Sequence, residues 1–225
     1  MSTVFIGHFA LGLAAKRATP GVSLAVLFAA AQFADLLWPF LVAFGIEEVR
    51  IEPGTTAFTP LDFISYPVSH SLTMLLVWGF IFGILYTLWS AETFSLPVVW
   101  ALVVSHWILD FVTHRPDLPL YPGGPKVGLG LWNSIPATMT VELAMYGLGL
   151  FIYARSTRPK DRIGRWAFVS LAVFLLVAYV ANLSGPPPSV QAVYLVGILG
   201  GVVLLWWSWW ADRHREDRRT HEKAG

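Results

Sequence analysis

The chain of 225 residues contains no cysteine, so it can form neither disulfides nor thiolate metal sites, and any metal it holds must sit on nitrogen and oxygen. Charge is scarce as well. Only 13% of residues are charged against 56% hydrophobic, and the mean hydropathy is +0.61, far from the balance of a soluble domain of this size. The net charge of +1 offers no basic field for a polyanion, so no nucleic-acid partner is expected. No internal repeat is visible, which speaks against the two related halves from which many secondary transporters are built. The residue order of a secretory signal is missing too. Lys16 and Arg17 follow the short apolar stretch Thr3–Ala15 instead of preceding it, and no cleavage is expected.

What is present is a series of long apolar runs. Those at 22–44, 69–90, 97–114, 137–154, 165–184 and 190–211 each reach the ~17–25 helical residues needed to cross a hydrocarbon layer of ~30 Å. The fold class that follows is all-α, a polytopic helix bundle of six full spans plus a short N-terminal helix at Thr3–Ala15 that crosses or only dips in. Residues 1–211 form one transmembrane domain, and 212–225 read as a charged cytoplasmic tail without a packed-core signal. Lys16–Arg17, Arg155–Arg165 and Arg213–Lys223 hold 12 of the 15 basic residues, and the positive-inside rule places all three in the cytoplasm. Six spans return them to one side and put the loops 45–68 and 115–136 outside. A bacterial inner membrane is the expected location, with the C-terminus cytoplasmic.

Polar residues inside these runs need a reason. An aspartate at the centre of a spanning helix costs roughly 2.5–3.5 kcal/mol on insertion scales, so it is expected to face a cavity, a partner or an ion. In Val103–Leu118, His106, Asp110 and His114 are spaced four apart, advancing about 40° per step on a helix, and form one narrow stripe. Given the topology, Asp35, His70, the His106 stripe and Glu142 fall at comparable depth toward the outer leaflet, and His8 joins them if the N-terminal helix packs on the bundle. No lysine or arginine in the membrane interior is available to pair with Asp35.

Imidazole and carboxylate donors suit Zn²⁺, with Mn²⁺ or Fe²⁺ as alternatives. His8, Asp35, His70, His106 and Asp110 are the candidate metal ligands. His106 and His114 are about 12 Å apart along a straight helix, so His106 pairs better with Asp110. His114 is left for a second ion, a supporting hydrogen bond or substrate. Arg115 precedes Pro116, and the helix is predicted to end near His114. A metal with an open position makes hydrolysis the default chemistry, with Glu142 or an unligated aspartate as general base, and Ser71 and His114 placing water or substrate. Arg115 and Lys126 could hold an anionic headgroup.

The segments GHFALG, AAQFADLLWP, FTPLDFISYPVSHS and SHWILDFVTHRPDLPLYPGGPKVGLGLWNS resemble the LexA-regulated membrane-bound hydrolase family, bacterial membrane proteins catalogued as metal-dependent hydrolases. The resemblance spans about the first 145 residues and covers His8, Asp35, His70, Ser71, His106 and Asp110. It implies a metal-dependent hydrolase of the inner membrane. The order of ligands is also similar to that of zinc-dependent phospholipase C enzymes and related nucleases, although the spacings differ and the N-terminal tryptophan ligand of those soluble enzymes is missing. The function expected is therefore hydrolysis of a lipid or lipid-linked ester or phosphoester, with a membrane lipid as substrate partner. The rivals are a proton or metal-ion transporter using the same cluster, and a scaffold holding a structural ion. Oligomeric state is not legible.

Overall fold

A computed structural model describes residues 5–90 and 95–219; Thr3, Val4 and the end of the tail from residue 220, His221 included, lie outside the described residues. The chain is an all-α membrane bundle. It begins with α1 (Ile6–Ala15), ten residues or about 15 Å long, which is half of what a span needs. Ile6, Gly7, His8, Phe9, Ala10, Gly12 and Leu13 are buried, so this short helix is a core element wrapped by the longer ones. Its closest approach is to a later helix, where a methyl group on Gly149 would come 2.6 Å from the Ala10 carbonyl.

The run expected to form one span at 22–44 is instead two helices, α2 (Leu24–Ala31) and α3 (Phe33–Ala43), bent by 60° at Gln32. The run is apolar enough on average to read as one span, and Gln32, Asp35 and Pro39 are its interruptions. Gln32 leaves the helical region at φ −104° and ψ 16°, and Pro39 inside α3 adds a second interruption by withholding an N–H from the turn that contains Asp35. A hairpin, β1 (Glu48–Ile51) with β2 (Leu61–Ser65), follows, then the single turn α4 (Pro67–His70). Ser71 is extended, so the next spanning helix starts one step later, as α5 (Leu72–Ser90).

Four more helices complete the bundle. They are α6 (Leu96–Thr113), α7 (Ile135–Ser156), α8 (Arg162–Ala181) and α9 (Val190–Arg213). Among the described residues they make, with α5, five helices long and apolar enough to cross a membrane, or six spans if the bent pair counts as one. The starts of α7, α8 and α9 are capped by side chains, which satisfy some of the first N–H groups. Ser134, Asp161 and Ser189 accept hydrogen bonds from Ala137, Gly164 and Ala192. The α6 helix stops as Pro116 dictates, with His114 extended at ψ 148°.

The two ends of the bundle are closed differently. At one, β3 (Leu118–Pro119) and β4 (Lys126–Val127) pair beside the β1–β2 hairpin, and Phe58 donates its N–H to the Trp132 carbonyl. At the other, the three basic regions meet: β5 (Thr157–Pro159) pairs with β6 (Arg215–Asp217), and Arg219 donates to the Arg17 carbonyl. The start of the expected solvated tail is therefore packed structure. Arg215 is buried over the Tyr153 and Phe168 rings, and His214 meets Asp161 at 2.8 Å. Asp212, buried at the end of α9, takes hydrogen bonds from Lys16 at 2.6 Å, Tyr153 at 2.7 Å and the Leu24 N–H at 3.1 Å.

Candidate metal centre

Five of the residues singled out in the sequence come together from four elements. His8 comes from α1, Asp35 from the first turn of α3, His70 from α4, and His106 and Asp110 from α6. The Nε2 atom of His106 is 3.3 Å from Asp110 Oδ2 and 3.8 Å from Asp35 Oδ1, while His70 Nε2 is 3.5 Å from Asp35 Oδ1 and 3.8 Å from Asp110 Oδ2. Ligand atoms about 2.0–2.2 Å from a common ion in a tetrahedron are separated by roughly 3.3–3.6 Å; two of these four separations, 3.3 and 3.5 Å, fall in that range, and the two of 3.8 Å lie just beyond it. His8 Nε2 approaches the other oxygen of Asp110 at 3.2 Å, and the His8 and His106 rings stack at 4.0 Å. Two overlapping triads result, His8–His106–Asp110 and Asp35–His70–His106, and this buried histidine and aspartate group could hold a metal ion.

The tautomers favour ligation. The break at Gln32 turns the Ala31 carbonyl toward α6, where His106 Nδ1 donates to it at 2.8 Å. The proton is thereby fixed on Nδ1, and Nε2 presents a lone pair to the carboxylates. His70 is set the same way. Glu47 accepts from the Ser69 hydroxyl at 2.5 Å and from the Val68 and Ser69 N–H groups, which leaves the Ser69 oxygen to accept from His70 Nδ1 at 2.6 Å. Imidazole nitrogens and carboxylates facing one another inside a bundle need a proton or a metal cation among them. His106 Nε2 and Asp110 Oδ2 are both buried with no hydrogen-bond partner, the condition that ligation relieves.

Glu47 and Ser69 were not legible as part of this site, because a glutamate in a polar loop looks like any solvated acid. The structure buries Glu47 and gives it the role of an orienting carboxylate. Outer partners of this type typically contribute 10–100-fold to metal affinity. Glu47→Gln is accordingly expected to weaken metal binding by about 10–100-fold with the helices intact, read by titration of metal-stripped protein with Zn²⁺. An unchanged affinity would remove Glu47 from the account.

The other three expected site residues stand elsewhere. The Ser71 hydroxyl is committed to the Pro67 carbonyl at 2.6 Å and helps cap α5, so it does not serve the cluster. His114 does not continue the stripe, because Pro116 ends the helix and turns it into a separate network. There its Nδ1 lies 2.9 Å from Asp117 Oδ1, its ring packs on Trp132 at 4.1 Å, and Tyr66 donates to the same Asp117 oxygen at 2.8 Å. Arg115 bridges Asp62 and Asp117, and Lys126 donates to the Ile64 carbonyl, so the two expected headgroup cations already have partners. Burial works against the Asp117 carboxylate, but hydrogen bonds from His114, Tyr66 and Arg115 outweigh it and hold its pKa below the ordinary value. Burial and the adjacent Asp117 charge push the Tyr66 hydroxyl well up, so it stays a donor.

Glu142 is closer to the cluster. It is buried on α7, and its Oε2 accepts the Gly7 N–H at 3.0 Å, one residue from His8. Gly7, His8 and Glu142 line a common cavity with Leu109, Thr113 and Met145. The five residues are thus the group that could hold a metal ion, and Glu142 bonds the backbone next to His8. No protein-family model, curated protein or solved structure matches this chain.

Proposed function

We propose that the chain is a membrane-embedded, metal-dependent hydrolase that cleaves an ester or phosphoester of a lipid or lipid-linked substrate, as its resemblance to the membrane-bound hydrolases of bacterial inner membranes implies. The observation that carries the reading is the pair of imidazole lone pairs, on His70 and His106, aimed with Asp35 and Asp110 into one buried space. The donor set of nitrogen and oxygen suits Zn²⁺ first. When bound, the ion supplies a water acidified toward a pKa of ~7 and polarises the carbonyl or phosphoryl oxygen of the substrate.

The residues of the chain do the rest. Glu47 through Ser69, and the Ala31 carbonyl, hold His70 and His106 in the ligating tautomer, and His8 steadies Asp110 from the side away from His70. Asp35 is the ligand with open space beside it: its side chain is 27% exposed, against 4% or less for the other four. Substrate therefore arrives on the Asp35 side. Glu142, a buried carboxylate outside both triads, is the general base of this reading: it takes one proton from the attacking water and returns it to the departing ester oxygen, which leaves as an alcohol.

The test separates metal from turnover. Glu142→Gln is expected to keep wild-type metal content and to lose about 10²–10⁴-fold in hydrolysis of whichever lipid ester or phosphoester the wild type turns over, the range for a lost general base. Full activity in that variant would remove Glu142 from the mechanism, and no turnover by metal-loaded wild type on a broad lipid panel would remove the hydrolase reading.

A further inference from the structure

Beside Asp35 the bundle opens a cleft between α3, α8 and α9, with a volume of about 140 Å³. That is room for on the order of ten waters, yet the walls are carbon, from Leu36, Pro39, Phe174, Ala178, Gly200 and Leu204. Its rim reaches the lipid-facing surface, since Phe174 is 42% exposed on helix α8. Polar side chains are few in its lining: Asp35, Gln32 and Trp38. Gln32 Oε1 and Trp38 Nε1 are buried in the wall and closed to solvent, so Asp35, 27% exposed, is the polar group at this end that a ligand can reach. The Trp38 ring also meets His70 edge-on at 6.5 Å, which ties this end of the cleft to the metal cluster.

The shape is built into α9. A methyl group on Gly197 would come 2.7 Å from Pro39, and one on Gly201 2.6 Å from Leu36, so α9 is locked against α3 at both positions. Gly200, between them on the same helix, faces open space, with nothing within 4 Å of its missing side chain. The gap is held open by packing on either side of it.

We propose that this cleft receives one hydrocarbon chain of a membrane lipid, placing the carbonyl or phosphoryl group at its head beside Asp35. A cleft with carbon walls that opens to the lipid-facing surface and has a carboxylate of the metal cluster in its lining fits an amphiphile with one long apolar arm better than a polar solute. The chain lies along Leu36, Pro39 and Gly200. This deepens the hydrolase reading by naming the part of the substrate that is recognised, and it rests on that reading for its catalytic meaning.

The test uses the full chain in phosphatidylglycerol and phosphatidylethanolamine vesicles doped with a phospholipid that carries a photoactivatable diazirine near the end of one acyl chain. After irradiation, adducts on wild type are expected on Leu36, Pro39, Ala178 and Leu204 inside the cleft and on the lipid-facing Leu199 and Val203. Gly200→Trp fills the cleft from the one position where a side chain meets nothing, and is expected to lose the inner adducts while keeping the outer ones and the metal content. Gly200→Leu does the same with a smaller group should tryptophan impair folding, and Gly200→Ala should retain the inner adducts. Inner adducts absent from wild type, or unchanged in Gly200→Trp and Gly200→Leu, would overturn the proposal. Inner labelling of a wild type that holds no metal would support the lipid site and refute the hydrolase reading, so the two fail separately.

Discussion

Alanine at Asp212 is expected to lower the stability of the bundle by roughly 3–5 kcal/mol, the scale for removing one partner of a buried ion pair. Lys16 and Asp212 are each about nine-tenths buried and meet at 2.6 Å. Removal of the carboxylate leaves the ammonium with the Val22 carbonyl alone, strips the Tyr153 hydroxyl of its acceptor, and frees the Leu24 N–H in the first turn of α2. Three elements far apart in sequence are joined through this one side chain, so the loss falls on the whole end of the bundle. Thermal unfolding in detergent should show a large downward shift for Asp212→Ala, with metal still bound in the folded fraction. Replacing both partners together, Lys16→Met with Asp212→Leu, should recover much of the difference, because a well-packed apolar pair carries no desolvation cost. Melting of the single variant within about 0.5 kcal/mol of wild type would mean that the pair is not structural.

Alanine at His106 has the largest expected effect on function. Metal polarisation of a reacting oxygen is worth several kcal/mol, and each 1.36 kcal/mol is a factor of ten, so loss of the ion costs at least about 10³-fold in rate. His106 belongs to both possible ligand triads, which makes it the residue whose loss no rearrangement of the other four can cover. The variant also removes the hydrogen bond to the Ala31 carbonyl and the stacking on His8, so activity is compared per folded protein, with thermal unfolding measured alongside. A His106→Ala protein that hydrolyses lipid at the wild-type rate would contradict the assignment.

Much of this architecture is legible in the residues themselves. Apolar length alone locates the spanning helices, because the bilayer sets a minimum that few other structures meet. The aspartates in apolar surroundings betray themselves in the same way, and Asp35 and Asp110 do converge with His8, His70 and His106. What the chain conceals depends on partners distant in sequence. The bend at Gln32 lies in a run long and apolar enough to read as one span, and its structural use, presenting the Ala31 carbonyl to His106, involves a residue 75 positions away. Glu47 reads as a loop acid until Ser69 and His70 are seen beside it. His114 misleads in the opposite direction. Its spacing continues the stripe, but Pro116 ends the helix and the local backbone overrides the periodicity. The tail is concealed as well, since a mixed-charge run such as 212–219 gives no sign that it pairs with Thr157–Pro159.

The central claim is that the five-residue cluster binds a divalent metal ion. It is tested most directly by the metal content of detergent-purified wild type and of the His106→Ala/Asp110→Ala double variant, measured by mass spectrometry on protein prepared without added metal or affinity-tag histidines. One tightly held equivalent, zinc foremost, is expected in the wild type, and none in the double variant. Wild type free of metal that takes up none on titration, or equal metal in both proteins, would contradict it.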